Sequence, residues 1–314
     1  MLRFIVRRMG LIGVTLFVVS LAIFLITEIL PGDAATMKLR QGATEENLAV
    51  ARRDLGLDRP AYERYLDWVG NAVRGDLGDS LIRKKPITEI VRPRLSNSAI
   101  LAVFAFLVAV PAAVGTGIWA GVRRDSLGDR MVSIGSLVAI SLPEFMTGLL
   151  LIIVFSSTLG LLPSSSIILP GTSPLTRPEI LLLPALTLTG VLFAYIMRMT
   201  RANVIEVMES NYVRTAILKG LPMRRVLFRH VVPNAMLPTI SVIAANIGWM
   251  LGGLIIVENV FAYPGLGRLV LEAITRRDVP LLQSVTLIIA VTFSLSNLVA
   301  DLCYAALNPR IRYA

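Results

Sequence analysis

Few residues of this 314-residue chain have the type and spacing for chemistry. The lone histidine, His230, and the lone cysteine, Cys303, form no cluster that would ligate a metal, and one cysteine closes no internal disulfide. No G-x-x-x-x-G-K-[ST] run is present. Gly265-Leu266-Gly267 follows no strand pattern, so neither phosphate cradle for a nucleotide is encoded. Glu144 is an acid inside a long apolar run, directly after Pro143. Such carboxylates face a cavity or a partner. Glu144 therefore reads either as a pore-lining group that meets an amine or as a kink residue paired with a neighbouring helix. The remaining segment with a distinct pattern is Asn211-Tyr212-Val213-Arg214-Thr215-Ala216-Ile217-Leu218-Lys219-Gly220, with Pro233 thirteen residues beyond Gly220.

That segment predicts a docking element rather than a catalyst. Ser210 or Asn211 caps a helix that runs to Lys219, and Gly220 supplies the left-handed stop. Val213, Ala216 and Ile217 fall at i, i+3 and i+4 and share a face, which the small Ala216 lets approach a neighbour closely. Arg214 and Lys219 lie off that stripe, where acidic groups on a groove rim would meet them. Pro222 opens a second short helix and Pro233 ends it. The pattern also fits an ordinary amphipathic helix lying on a membrane surface.

The elements that must position these residues are membrane spans. The chain is 55% hydrophobic and 17% charged, with mean hydropathy +0.71. A span needs about 20 apolar residues. Six runs approach that: Met9–Leu30, Ser98–Val122, Val132–Leu159, Glu179–Met197, Ala235–Val257 and Leu281–Leu307. Arg3, Arg7 and Arg8 keep the N-terminus in the cytoplasm, and six spans return the C-terminus, with Arg310 and Arg312, to the same side. Arg123, Arg124 and Arg130, and seven basic residues between Arg198 and Arg229, mark the other cytoplasmic loops. The net charge of +10 is read as this topology signal, and without an aromatic-interleaved basic stripe it does not indicate nucleic acid. The N-terminal run exceeds a signal-peptide core, so it is expected to remain as the first span despite Ala34-Ala35, which mimics a cleavage site.

The expected organisation is therefore all-α and polytopic. Residues 1–30 form a tail and first span, 31–97 a small extracytoplasmic domain, and 98–314 a five-helix core that includes the loop 198–238. In the outer domain, Thr44 caps a helix over Glu45–Leu55. Pro60 starts another, whose apolar face is Tyr62, Tyr65, Leu66, Trp68 and Val69, and Gly75-Asp76-Leu77-Gly78 is a turn. This domain reads as a folded spacer or as a lid or platform for a binding protein. Asn246 and Asn297 line a path or bond between helices, while Gly248, Gly252 and Gly253 allow close helix approach. Glu258, Asn259 and Phe261, at the outer mouth of the fifth span, form an outer gate or an interfacial anchor and turn.

Further motifs complete a pattern: Pro31-Gly32-Asp33, Leu55-Gly56-Leu57-Asp58-Arg59-Pro60, Gly75-Asp76-Leu77-Gly78-Asp79-Ser80, Arg229-His230, Pro233-Asn234-Ala235 and Val257-Glu258-Asn259-Val260-Phe261 before Pro264-Gly265-Leu266-Gly267. With these the chain resembles the inner-membrane permease subunits of binding-protein-dependent ABC importers, in the dipeptide/oligopeptide/nickel group, and among them the B-type partner. Ala216, Gly220 and Pro233 match the family's coupling motif. Arg214, Thr215, His230 and Val232 depart from it. The resemblance implies ATPase coupling through Tyr212, Val213, Arg214, Thr215, Ala216, Lys219, Gly220 and Pro233. It also implies a homologous C-type permease, one or two ABC ATPase subunits that hold ATP and magnesium, and an extracytoplasmic substrate-binding protein. This chain, in the bacterial cytoplasmic membrane and among its lipids, would carry no cofactor and no catalytic residue. The solute would be a short peptide or peptide-sized amphiphile. An ion-coupled secondary transporter is the competing reading, and it requires inverted repeats and several buried acids that the sequence lacks.

Overall fold

The computed structural model describes residues 2–29, 44–54, 58–169 and 171–307. Pro31-Gly32-Asp33, Ala34-Ala35, Leu55-Gly56-Leu57, Arg310 and Arg312 lie outside the described residues, as do the side chains of Arg3 and Cys303. No strand occurs among the described residues; the elements are helices and turns. Five helices are long and apolar enough to cross a bilayer: Ile5–Ile29, Ile87–Val122, Glu179–Met208, Met223–Gly248 and Val279–Leu302. A bent pair, Leu127–Ser141 with Glu144–Thr158, makes six when taken as one span. The protein is thus an all-α polytopic membrane protein.

The chain divides into two compact units. The first joins residues 1–98 to 264–295. In it, α1 (Leu2–Ile29) is the first span, and α2 (Glu45–Asp54) starts where the Thr44 hydroxyl accepts the Asn47 N–H at 3.3 Å. Helix α3 (Ala61–Val73) lies against α1 through Tyr65, whose phenol meets Ser20 Oγ at 2.9 Å. The 75–78 turn is held by Asp76 Oδ1, which accepts the Gly78 N–H at 2.9 Å, with Gly75 and Gly78 both at positive φ. Helix α4 (Ile87–Val122) begins well before the expected Ser98. Ile87, Ile90 and Val91, on its first turns, are buried with Leu266, Leu269, Leu281 and Val285.

The second unit holds residues 99–263 and 296–314. Helix α5 (Leu127–Ser141), helix α6 (Glu144–Leu151) and the wide turn Ile152–Thr158 that extends it cover the expected third span Val132–Leu159, as a bent pair rather than one helix. The two halves meet at 112°. The cause is Pro143. A proline excludes the α conformation from the residue before it, and Leu142 is extended at φ −88, ψ 131. Helix α7 (Glu179–Met208) is the axis of the unit, with most of its apolar stretch buried. Helices α5, α6 and α10 (Val232–Val260) pack on it.

Helix α4 also approaches α7 closely. A Cβ at Gly117 would stand 2.7 Å from the Met197 carbonyl oxygen, and one at Gly121 would stand 2.8 Å from Val204 Cβ. Ala113, buried in the same core, completes a small-residue stripe at four-residue spacing that lets the backbones touch.

Candidate functional site

The segment between α7 and α10, expected on the cytoplasmic side, folds as a built unit. Helix α8 (Asn211–Leu218) starts after Ser210, in extended conformation at φ −69, ψ 147. Ser210 does not cap it by accepting a bond, because its hydroxyl donates back to the Val207 carbonyl at 2.5 Å. The C-terminus closes as a Schellman turn: Gly220 N–H donates to Ile217 O at 2.9 Å and Leu221 N–H to Ala216 O at 3.3 Å, with Gly220 at φ +75. Any side chain there is strained by its backbone, although the space around it is open.

The two faces of α8 have different roles. Val213 is 0% exposed and Ala216 7%, packed with Val204, Val226, Val231 and Ala235 of the same chain. The expected shared face of Val213, Ala216 and Ile217 is therefore not an outward one, and Ile217 parts from it at 45% exposure. Val213 and Ala216 fix the helix to its own body. The outward face is Asn211, Arg214, Thr215 and Leu218, the last 79% exposed, with Tyr212 beside it. Helical spacing places Leu218 between Arg214 and Thr215, four and three residues earlier.

After Gly220 the chain does not form a separate second helix. Pro222 precedes helix α9 (Met223–Val226), which passes through a wide turn, Leu227–Val231, straight into α10. Pro233 was expected to end this helix. It lies instead in the first turn of α10, and the ladder upstream of it shifts to i+5 bonding, with Val232 N–H on Leu227 O. A proline offers no N–H and crowds the carbonyl four residues back, and widening the turn relieves both without a break. Met223 and Phe228 are exposed on this stretch beside the exposed cations Arg224, Arg225 and Arg229.

An ion pair ties the loop between α4 and α5 to the root of this segment. Asp129, 1% exposed in the first turn of α5, takes Arg201 of α7 in a two-pronged contact, Nη2 to Oδ2 at 2.7 Å. Asp129 also accepts the Asp125 N–H at 2.9 Å, while its own N–H donates to the capping Ser126 hydroxyl at 3.2 Å. On the surface, Arg124 meets Glu209 at the end of α7. Sequence reasoning singled out neither pair, because both join positions more than seventy residues apart. The Ser126-x-x-Asp129 spacing was the one local signal.

Within the membrane region, Glu144 opens α6, and its carboxylate packs against Gly253 of α10, where a Cβ would meet Oε1 at 2.7 Å. Its Oε2 is buried with no hydrogen-bond partner among the described residues. Asn246 bonds locally, Nδ2 to Val242 O at 2.8 Å, and Asn297 packs on Gly248. Glu258 and Phe261 are both fully buried. Tyr263 N–H donates to Glu258 O at 2.8 Å, and Ser166 N–H donates to Phe261 O at 2.7 Å. Glu258 and Phe261 are thus packed inside the fold, whereas Asn259 is exposed and its Nδ2 donates to Ile255 O. Burial, together with the Glu258 charge, pushes the Tyr263 phenol up. No group of three or more metal-ligating side chains occurs among the described residues.

Comparison with known proteins agrees with this architecture. Residues 113–313 match the family described as binding-protein-dependent transport system inner membrane component. Residues 1–96 match the N-terminal region of such membrane components. The glutathione transport system permease protein GsiC of Escherichia coli K12 is 38% identical over the full length of both chains. Its counterpart in Shigella flexneri serotype 5b is 37% identical, again over the full length of both chains. A substrate-binding protein and ATPase partners go with such a component. The chain belongs to the family of inner-membrane components of binding-protein-dependent transport systems, the permease subunits of bacterial ABC importers.

Proposed function

We propose that this permease forms, with a homologous C-type subunit, a translocation path for short peptides or peptide-like solutes, and that α8 is where an ATPase subunit docks. ATP and magnesium are held and used in the ATPase subunits, and this chain contributes no cofactor. The observation that carries the reading is the two-sided α8. Its inner face is consumed by packing, while a short helix closed at Gly220 presents Leu218 between Arg214 and Thr215 with no covering element among the described residues. An exposed leucine rimmed by cations suits a groove with acidic edges. Tyr212, Lys219 and the exposed side of Ile217 extend the contact, and Val213, Ala216, Gly220 and Pro233 hold its geometry. Rigid-body motion of the ATPases would then reach α7 directly and α10 through α9, since α8 is packed on α7 and α9.

The solute class rests on the relatives, which are named for glutathione transport, and on Glu144, a membrane carboxylate suited to a peptide amine. Opines, glycosides and metal chelates are the alternatives to exclude by competition. The test is uptake into vesicles that hold this chain with a partner permease and ATPases, supplied with binding protein. Labelled di- and tripeptides should accumulate only with ATP inside and binding protein outside. Uptake without ATP, driven by an ion gradient, would refute the reading.

A further inference from the structure

Helix α3 carries three separate stripes. Tyr65 and Trp68 face α1: the Tyr65 ring lies 6.5 Å from Phe17 and 5.5 Å from Phe24, and Trp68 stacks on Phe24 at 6.3 Å. Arg59, Glu63 and Asp67, at four-residue spacing, form an exposed ion network with Arg59 Nη1 on Asp67 Oδ2 at 2.7 Å. Tyr62, Leu66 and Val73 form a third, apolar stripe, 66%, 63% and 83% exposed.

The contacts with α1 set the height of this helix. Arg8 and Glu28 bracket nineteen uncharged residues of α1, about 28 Å at the helical rise, which matches the hydrocarbon core. Ser20, bonded to Tyr65, lies eight residues inside Glu28, or about 12 Å below the outer boundary. Arg64 reaches Glu28 at that boundary. A helix so placed does not stand in bulk water. Its apolar stripe stands beside α1, whose Phe17, Leu25 and Ile26 are also exposed, and its charges are segregated on another side.

We propose that α3 is an interfacial helix, its Tyr62–Leu66–Val73 stripe sunk into the outer leaflet beside the first span, so that the N-terminal outer segment is lipid-anchored. The occupant is phospholipid: a stripe bounded by a phenol and a salt-bridged edge fits the step from acyl chain to headgroup.

The test uses the full chain with its partner subunits in phosphatidylcholine–phosphatidylglycerol vesicles, in a Cys303→Ser background. Nitroxides are attached at Leu66→Cys or Asp67→Cys, both exposed positions that should tolerate the label. The proposal expects oxygen to relieve power saturation at 66 while a water-soluble nickel chelate does not, with nickel collision several-fold lower at 66 than at 67. Nickel access at 66 equal to that at 67 would place the stripe in water and overturn the proposal. Access to neither reagent at 66 would mean that a protein surface covers the stripe, and would overturn it as well.

Discussion

Replacing Asp129 by alanine should loosen the root of the docking segment by an amount that can be worked out. Asp129 is 1% exposed and accepts two bonds from Arg201 and one from the Asp125 N–H. Removing one partner of a buried pair costs roughly 3–5 kcal/mol, chiefly because the other charge is left without compensation. The Arg201 side chain retains 27% exposure, so the lower figure, about 3 kcal/mol, applies. For a domain the size of the second unit this is a fall in Tm of roughly 6–12 °C. The assay is thermal unfolding of the detergent-solubilised complex, followed by the retained fraction on size exclusion. Arg124→Ala removes the exposed pair with Glu209 and is the control, expected within about 0.5 kcal/mol of wild type. The double change Asp129→Ala with Arg201→Met removes the stranded charge and should recover part of the loss. A single change no worse than the control, or a double change worse than Asp129→Ala, would refute the argument.

Other variants probe other parts of the fold. Gly117→Ala forces a Cβ to within 2.7 Å of the Met197 carbonyl oxygen. The backbone cannot yield there, so a stability loss of about 1–3 kcal/mol is expected in the same unfolding assay. Asp278, 1% exposed, accepts the Ser80 hydroxyl at 2.5 Å and the Leu81 and Ile82 N–H groups at 3.3 Å. Asp278→Ala should therefore release the 79–86 loop, seen as new protease cleavage there, at a cost of about 1–3 kcal/mol. Glu144→Gln should lower vesicle uptake of peptides with a free amino terminus more than of N-acetylated ones, while ATPase co-purification stays unchanged. Equal loss for both peptides would assign Glu144 to packing alone.

The parts of this fold that were legible in the sequence are those governed by local rules. Thr44 caps α2, Gly220 ends α8, and the apolar runs mark the spans, because capping, positive φ and hydropathy act over a few residues. Hydropathy is blind to direction, so Val132–Leu159 read as one span, and the size of the 112° turn inside it was not legible. The constraint that Pro143 places on Leu142 was the available signal. Pro233 misled in the opposite sense: a proline near a helix start can be absorbed by a wide turn, and the rule for helix termination does not distinguish the cases. On α8 the periodicity found an apolar stripe but could not say whether it faced inward or outward. Asp278 with Ser80, and Asp129 with Arg201, are brought together only by tertiary packing, which leaves no local pattern to read.

The docking role of α8 is tested most directly by comparing its outer and inner faces in one co-purification. Leu218→Asp changes the outward centre of the helix and touches nothing buried, while Val213→Ala opens a cavity behind it. Leu218→Asp should leave the Tm of the permease pair within about 1 °C of wild type, as surface changes do, yet lose the ATPase from the tagged complex and abolish ATP-driven uptake. Val213→Ala should lower the Tm and, below it, retain the ATPase. If Leu218→Asp retains the ATPase and full uptake, α8 is not the coupling surface.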